Sequence, residues 1–355
     1  MAPLRVVSLL PSATEIIQLV AAHCDTSNGV PFELVGRSHE CDFPGGLEHL
    51  PSLTAAKTQW TDSADVDRQV REALSSGTGL YSVDREQLQQ LGPDIIVMQS
   101  LCSVCSVDFC YVQDIAAGIE PRPQVADLNP QSLQEVLADV RRVGGLLGQP
   151  AAGETAAAAL QGRVDAALAA VPRAAAATGA AGRPEGGAEG SSVSGRGGSG
   201  SSSGENGSTA GPSVAFVEWV APIFVGGHWT PQLIEMAGGR HLLNPCTPGG
   251  GAGKSFAATP EQVAESRPDW VVVAPCGLDL ATARKEMEAS LASQPWWQEL
   301  PAVKAGRVVV VDGNQMFNRP GPRLVDALEF LVGLLHDKPE VIPAGFPYER
   351  VPAAQ

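Results

Sequence analysis

Positive charge is scarce in this chain: 24 lysines and arginines stand against 39 aspartates and glutamates, a formal charge of −15. A field of that sign repels polyanions, so partners bound by phosphate neutralisation are excluded and nucleic acid is not expected. Aromatic residues are also few, at 5%. Any flat stacking surface must therefore come largely from Trp60, Trp219, Trp229, Trp270, Trp296 and Trp297. No run approaches the roughly 18 apolar residues of a membrane span. The opening MAPLRVVSLLPSATE takes a strand straight into a helix start, without the basic, apolar and small-residue blocks of a secretory leader. As written, the chain is expected in the cytoplasm. Its seven cysteines are then expected as thiols or thiolate ligands, not as a disulfide framework. Two catalytic signatures are missing as well. No G-x-S-x-G elbow occurs, and the phosphate-loop ending Gly253-Lys254-Ser255 has Pro248 where its first glycine belongs.

What remains, in 355 residues that are 44% hydrophobic, suffices for two cores. Residues 173–212 are almost wholly Ala, Gly and Ser and bury too little to offset ordering entropy, so a disordered insert is expected there. On either side, short apolar runs alternate with helical patterns, which predicts parallel α/β architecture in both halves. The boundaries expected are an N-terminal lobe over 1–149, a connecting helix over 150–172, a C-terminal lobe over 213–345 and a tail over 346–355. Strands are predicted at Leu4–Leu10, Glu33–Gly36, Asp94–Gln99, Gln124–Leu128, Val214–Val217, Trp270–Ala274 and Arg307–Asp312. Ser12 and Glu15 have capping-box spacing, and Ser63 opens a second helix. Proline followed by strong helix formers predicts a rod from Pro150 to Val171. One unit recurs: EQLQQLGPDIIV from Glu86 and EQVAESRPDWVVV from Glu261 both run Glu-Gln-apolar into Pro-Asp and a buried strand, which predicts two lobes of one design.

The residues able to do chemistry gather after the predicted strands. SHECDF packs His39, Glu40, Cys41 and Asp42 behind Ser38. QSLCSVCSV sets Cys102 and Cys105 as a C-x-x-C after a strand, where three readings stay open: a redox pair, half of a zinc site completed by His39, Cys41 or Cys110, or small residues lining a crowded turn. In the second half come Glu218 and Trp219, then Gly226-Gly227-His228-Trp229, then Cys276 and Gly277, then Asn314, Phe317 and Arg319. Loops at the carboxyl ends of parallel strands are where open α/β sheets bind ligands, so the two sets are expected to converge. The glycines before His228 are expected to let that loop approach a ligand closely.

Six ordered segments, VVSLLPSATEI, LVGRSHECDFP, LCSVCSV, VEWVAPIFVGGHW, APCGLDL and VDGNQMFNRPGPRLVDALE, resemble the cobalamin and ferric-siderophore substrate-binding proteins of ABC importers, most closely the cobalamin-binding-protein-like branch. The resemblance spans nearly all of the chain except the insert and the last ten or so residues. It implies two Rossmann-like lobes joined by one long helix, the class III periplasmic-binding-protein-like fold, with the ligand clamped between them. It further implies non-enzymatic binding of cobalamin, a related corrinoid or another metal chelate such as a siderophore or haem, with no intrinsic cofactor. Glu86 and Glu261 fall where such proteins dock onto arginines of an ABC permease. It would also suggest a periplasmic or other extracytoplasmic site if the N-terminus is incomplete. For a corrinoid, Trp60, Trp219, Trp229 and Phe317 are the expected apolar contacts, and His39, Cys41, Cys102, Cys105, His228 or Cys276 the groups able to approach cobalt. The alternative is a thiol redox or zinc-site protein using Cys102 and Cys105 with His39 and Cys41.

Overall fold

The computed structural model describes residues 2–27, 29–77, 79–100, 109–172, 211–246 and 253–353. The first lobe runs β1 (Leu4–Ser8), α1 (Pro11–Ala21), β2 (Phe32–Gly36), β3 (Thr54–Ala56), α2 (Ser63–Ser75), β4 (Tyr81–Val83), α3 (Arg85–Leu91), β5 (Ile95–Met98), α4 (Phe109–Ala116), β6 (Gln124–Asp127) and α5 (Leu133–Leu146). Its main sheet is parallel throughout, in the order β2-β1-β5-β6, with β3 and β4 forming a separate antiparallel pair. All four residues of β5 are buried, which is why this strand reads as an unbroken apolar run instead of alternating.

After α6 (Pro150–Ala170) the second lobe continues with β7 (Val214–Val220), β8 (Ile223–Val225), α7 (Thr230–Met236), β9 (Phe256–Ala257), α8 (Pro260–Glu265), β10 (Trp270–Val273), α9 (Leu280–Met287), α10 (Pro295–Gln298), α11 (Pro301–Lys304), β11 (Val308–Val311), α12 (Leu324–Leu335) and β12 (Tyr348–Val351). The strands predicted in both halves are all present. The second sheet is mixed, not parallel: β7, β10 and β11 run together, while β12 on one side and β8 with β9 on the other are antiparallel. Residues 346–355, expected as a tail, instead supply the edge strand β12, whose Glu349 and Arg350 pair with the valines of β11. The insert expected over 173–212 lies outside the described residues except for Gly211 and Pro212.

One apolar core joins the lobes. Val6, Ile95 and Val97 of the first sheet and Phe216, Val272 and Val309 of the second belong to a single buried cluster, filled between them by α1, α5, α6, α7 and α12. The rod α6 has 21 residues and so spans about 30 Å. It packs on α5 at a glycine crossing, where a Cβ added to Gly144 would lie 2.6 Å from the Gly153 Cα, so any side chain there would force the two helices apart. Arg163 of α6 fastens the rod to α12 by pairing with Asp326 and, at 2.6 Å, with Glu329. The lobes are thus tied by packed helices, not by a thin hinge.

Of the two helix-start readings, the capping box at Ser12 and Glu15 is corrected, whereas α2 does begin at Ser63. α1 is capped by Leu10 without a side-chain bond, and Ser12 and Glu15 are buried. The cap of α2 is Asp62, whose carboxylate accepts from the Asp65 amide, and Ser63 is buried one residue further on.

Candidate functional site

A cavity of about 120 Å³ opens between the lobes. Its N-terminal wall is built from the turn after β1 (Leu9, Leu10, Pro11, Ser12), the segment after β2 (Ser38, Glu40), the β3–β4 pair (Thr54, Tyr81) and the end of β5 (Met98, Gln99). Its C-terminal wall follows β10 (Cys276, Gly277) and β11 (Gly313, Asn314, Asn318, Arg319, Pro320). Every segment except the β3–β4 pair leaves the carboxyl end of a parallel strand, where the backbone turns out of the sheet and its side chains are free to face a ligand. Of the residues expected from sequence, Ser38, Glu40, Cys276, Gly277, Asn314 and Arg319 converge here.

Asp42 bridges the two walls. It accepts from Arg319 at 2.5 and 3.1 Å and from the Asn314 amide at 2.8 Å, while Arg319 also donates to the Glu40 carbonyl and to Asn314. Burial opposes its charge, yet the Arg319 guanidinium and the Asn314 amide hold the Asp42 carboxyl below the usual carboxylate range. Behind this pair, Glu15 takes two bonds from Arg323, at 3.1 and 2.6 Å, and stands 3.6 Å from Arg319. Burial pushes the Glu15 carboxyl up, with Arg323 pulling the other way. Neither Glu15 nor Arg323 was singled out as a site residue from sequence. Only their separation of 308 positions closing into one ion pair reveals them.

The lobes meet a second time at the tryptophans. Trp60, nearly half exposed, stands edge-on to Trp219 with ring centroids 6.3 Å apart. The Trp219 indole donates to the Ser63 carbonyl, and the Ser63 amide and hydroxyl donate to Glu286 at 3.0 and 2.7 Å. Trp60 and Trp219 therefore join the lobes and are not among the residues lining the cavity.

Several expected residues are placed elsewhere. Cys41 is buried against Thr14, with Sγ 2.9 Å from the hydroxyl oxygen, and burial pushes its thiol up to about 11. A thiol so held stays protonated near neutrality and is a poor metal ligand, and Cys41 is not among the residues lining the cavity. His39 is turned onto Thr54, its Nδ1 2.6 Å from the hydroxyl, and stacks obliquely on Tyr81. Glu218 lies within β7, half-buried. The Gly226–Trp229 loop does not approach the cavity, because β8 doubles back antiparallel and returns it alongside Phe216. Its glycines serve packing: a Cβ on Gly227 would lie 2.2 Å from the Ser255 amide nitrogen. His228 adopts φ 55°, and burial with Lys254 nearby lowers its pKa, so it is neutral near pH 7. Trp229 and Phe317, at 7% and 1% exposure, belong to the shared core. Cys102 and Cys105 lie outside the described residues. Among the described residues, no group of three or more His, Cys, Asp or Glu is arranged to hold a metal ion.

Glu86 and Glu261 are exposed and occupy the second position of α3 and α8, each before the strand, β5 or β10, that sits beside the first strand of its sheet. Their equivalence, read from the sequence echo, is thus repeated in three dimensions. Residues missed from sequence include Thr54 and Tyr81, carried by strands of three residues each, too short to show a period. Gln99 was visible only as the residue ending an apolar run.

Two α/β lobes, a rigid helical connector and a cavity walled by strand ends from both sides define the class III periplasmic-binding-protein fold. The family described as periplasmic binding protein matches residues 224–314, in line with the resemblance seen in the ordered motifs. A periplasmic heme binding protein from Pseudomonas aeruginosa superposes with a TM-score of 0.62 at 18% identity, covering 100% of this chain and 99% of that one. The periplasmic vitamin B12 binding protein of Vibrio cholerae gives 0.60 at 17%, covering 95% and 98%. A periplasmic heme-binding protein from Roseiflexus sp. RS-1 in apo form gives 0.60 at 20%, covering 95% and 99%. No curated protein sequence matches the chain. Among the described residues no helix is long and apolar enough to cross a membrane.

Proposed function

We propose that this protein binds cobalamin or a related corrinoid between its lobes and does no chemistry on it. The observation that carries the reading is the cavity itself, walled by strand-end loops of both lobes. At about 120 Å³ the cavity is smaller than the roughly 300–1,000 Å³ of a whole-ligand pocket, so it takes one edge of a macrocycle while the ring rests against the rim. The walls offer apolar Leu9, Leu10 and Met98 beside amides and hydroxyls, the pairing that a flat ring with a polar periphery requires. The vitamin B12 binding protein of Vibrio cholerae shares the fold, which supports the choice without deciding it.

Titration with cobalamin, followed by corrin absorption, is expected to show saturable binding at one site per chain. Cys276 is exposed at the cavity, whereas Cys41 is buried. Alkylation of Cys276 is accordingly expected to slow when cobalamin is present, and Cys41 to resist alkylation throughout. An unchanged spectrum at high micromolar cobalamin removes the proposal.

We also propose that Glu86 and Glu261 are docking points for an ABC permease, as their matched, exposed positions favour. Reversing both charges (Glu86→Arg with Glu261→Arg) is expected to leave corrinoid affinity unchanged and to abolish stimulation of the permease's ATPase. Stimulation that survives the double reversal counts against docking there. The thiol or zinc reading finds no support in the described residues: Cys41 is a buried thiol and His39 is engaged by Thr54.

A further inference from the structure

We infer that the cavity selects a ligand edge bearing neutral amides and rejects one bearing carboxylates, with Asp42 and Glu40 as the rejecting groups. The inference rests on the corrinoid reading above and specifies its ligand chemistry. It starts from a count of charges. The lining and the network behind it hold two cations, Arg319 and Arg323, and three carboxylates, Glu15, Glu40 and Asp42. Both cations are already committed. Arg319 gives its fork to Asp42 and further bonds to the Glu40 carbonyl and Asn314. Arg323 gives its own to Glu15 and Gln315. Arg37, the next cation along the chain, donates to the Leu47, Ser38 and Cys41 carbonyls and is not in the lining. An arriving carboxylate therefore meets no uncommitted guanidinium and an excess of one negative charge. To reach Arg319 it would have to displace Asp42, which already fills the bidentate geometry a ligand carboxylate would seek.

A primary amide meets the opposite situation. The Glu40 carboxylate can accept from its N–H, and the Gln99 side chain, once its amide turns into the cavity it lines, can donate to its carbonyl. The Gln99 Nε2 is buried and has no hydrogen-bond partner among the described residues, an unmet donor in a lining otherwise rich in satisfied polar groups. Leaving such a donor unmet is costly, and a ligand carbonyl that satisfies it recovers that cost on binding. Rejection by a fixed like charge combined with reward for a matched amide is discrimination by contacts against the wrong ligand as well as for the right one.

The test compares two corrinoids that differ only in their peripheral arms: dicyanocobinamide, which carries amides, and dicyanocobyrinic acid, its fully hydrolysed carboxylate form. The wild-type protein is expected to bind the amide form at least about tenfold more tightly, the size of one partly screened charge–charge interaction. Asp42→Asn keeps an acceptor for Arg319 but removes the charge, and is expected to narrow that ratio by raising affinity for the carboxylate form. Glu40→Gln, at a side chain 41% exposed and so tolerant of substitution, is expected to narrow it in the same direction and gives the result even if Asp42→Asn folds poorly. Equal wild-type affinities, or ratios unmoved in both variants, overturn the inference while the corrinoid reading stands. Binding of neither form, with no response to cobalamin, removes both.

Discussion

Replacing Glu15 with alanine is expected to lower the unfolding free energy by about 3–5 kcal/mol, the range for removing one partner of a buried ion pair. The magnitude follows from what is left behind. Arg323 is buried, with a side chain 7% exposed, and both of its bonds to Glu15 vanish together, leaving a guanidinium held by Gln315 and by the face of Phe43 at 4.3 Å. Arg319, also buried, loses its neighbouring carboxylate at 3.6 Å. Glu15 belongs to α1 of the first lobe and Arg323 immediately precedes α12 of the second, so the loss falls on the junction between lobes. Urea unfolding is the measurement, with Arg323→Ala and the double replacement completing a cycle. The double variant is expected to cost clearly less than the sum of the singles, since the second deletion removes a charge the first had stranded. Arg68 provides the comparison: its pairs with Asp65 and Glu72 lie on the surface of α2, and Arg68→Ala is expected to leave the midpoint nearly in place. Additive costs, or an unchanged midpoint for Glu15→Ala, contradict a buried pair joining the lobes.

The sequence showed the sheets well and the site in part, and the division has a physical basis. A strand covered on both faces needs an unbroken apolar run, so β5, β10 and β11 announced themselves, and whatever polar residues follow such runs stand at the cleft end. That is how Cys276 and Asn314 were found, while Ser38 and Glu40 follow the shorter apolar stretch of the edge strand β2. The edge strands β9 and β12 are largely exposed and β8 has only three residues, so none carries such a run, and all three went unseen. Missing β8 then misplaced His228 and Trp229, since an antiparallel return reverses which end of the sheet a loop occupies. Glu15 was misread because S-x-x-E is a local pattern, whereas its partner is 308 residues away and known only from the fold. Asp42 and Arg319 were each singled out, but their pairing across 277 residues was not legible for the same reason. The aromatics mark another limit. An indole facing a ligand and an indole filling a core are equally apolar, and Trp60 and Trp229 differ in burial, not in the residues beside them.

Replacing Trp229 with alanine is expected to cost about 3–5 kcal/mol as a buried-aromatic deletion and, beyond that, to weaken ligand binding without Trp229 touching the ligand. The second effect is the informative one. The Trp229 indole donates to the Phe317 carbonyl at 2.6 Å, and Phe317 stands at φ 67°, a left-handed conformation unfavourable for a bulky side chain. Phe317 is held there by that bond and by its ring packing 4.9 Å from Phe216. The turn it makes delivers the next two residues to the cleft: the Asn318 amide bonds the Ala274 and Gly313 carbonyls, fastening the ends of β10 and β11 together, and Arg319 reaches Asp42. Trp229→Phe retains most of the apolar volume but strands the Phe317 carbonyl, and is expected to cost about 1–3 kcal/mol while still lowering corrinoid affinity. Trp297, buried in the separate cluster on the outer side of the second sheet, is the control. Its replacement by alanine is expected to cost as much stability as that of Trp229 and to leave corrinoid affinity unchanged at temperatures where the variant is folded. Equal effects of the two replacements on binding would mean that Trp229 acts through overall stability alone, and that the Phe317 turn does not position Arg319.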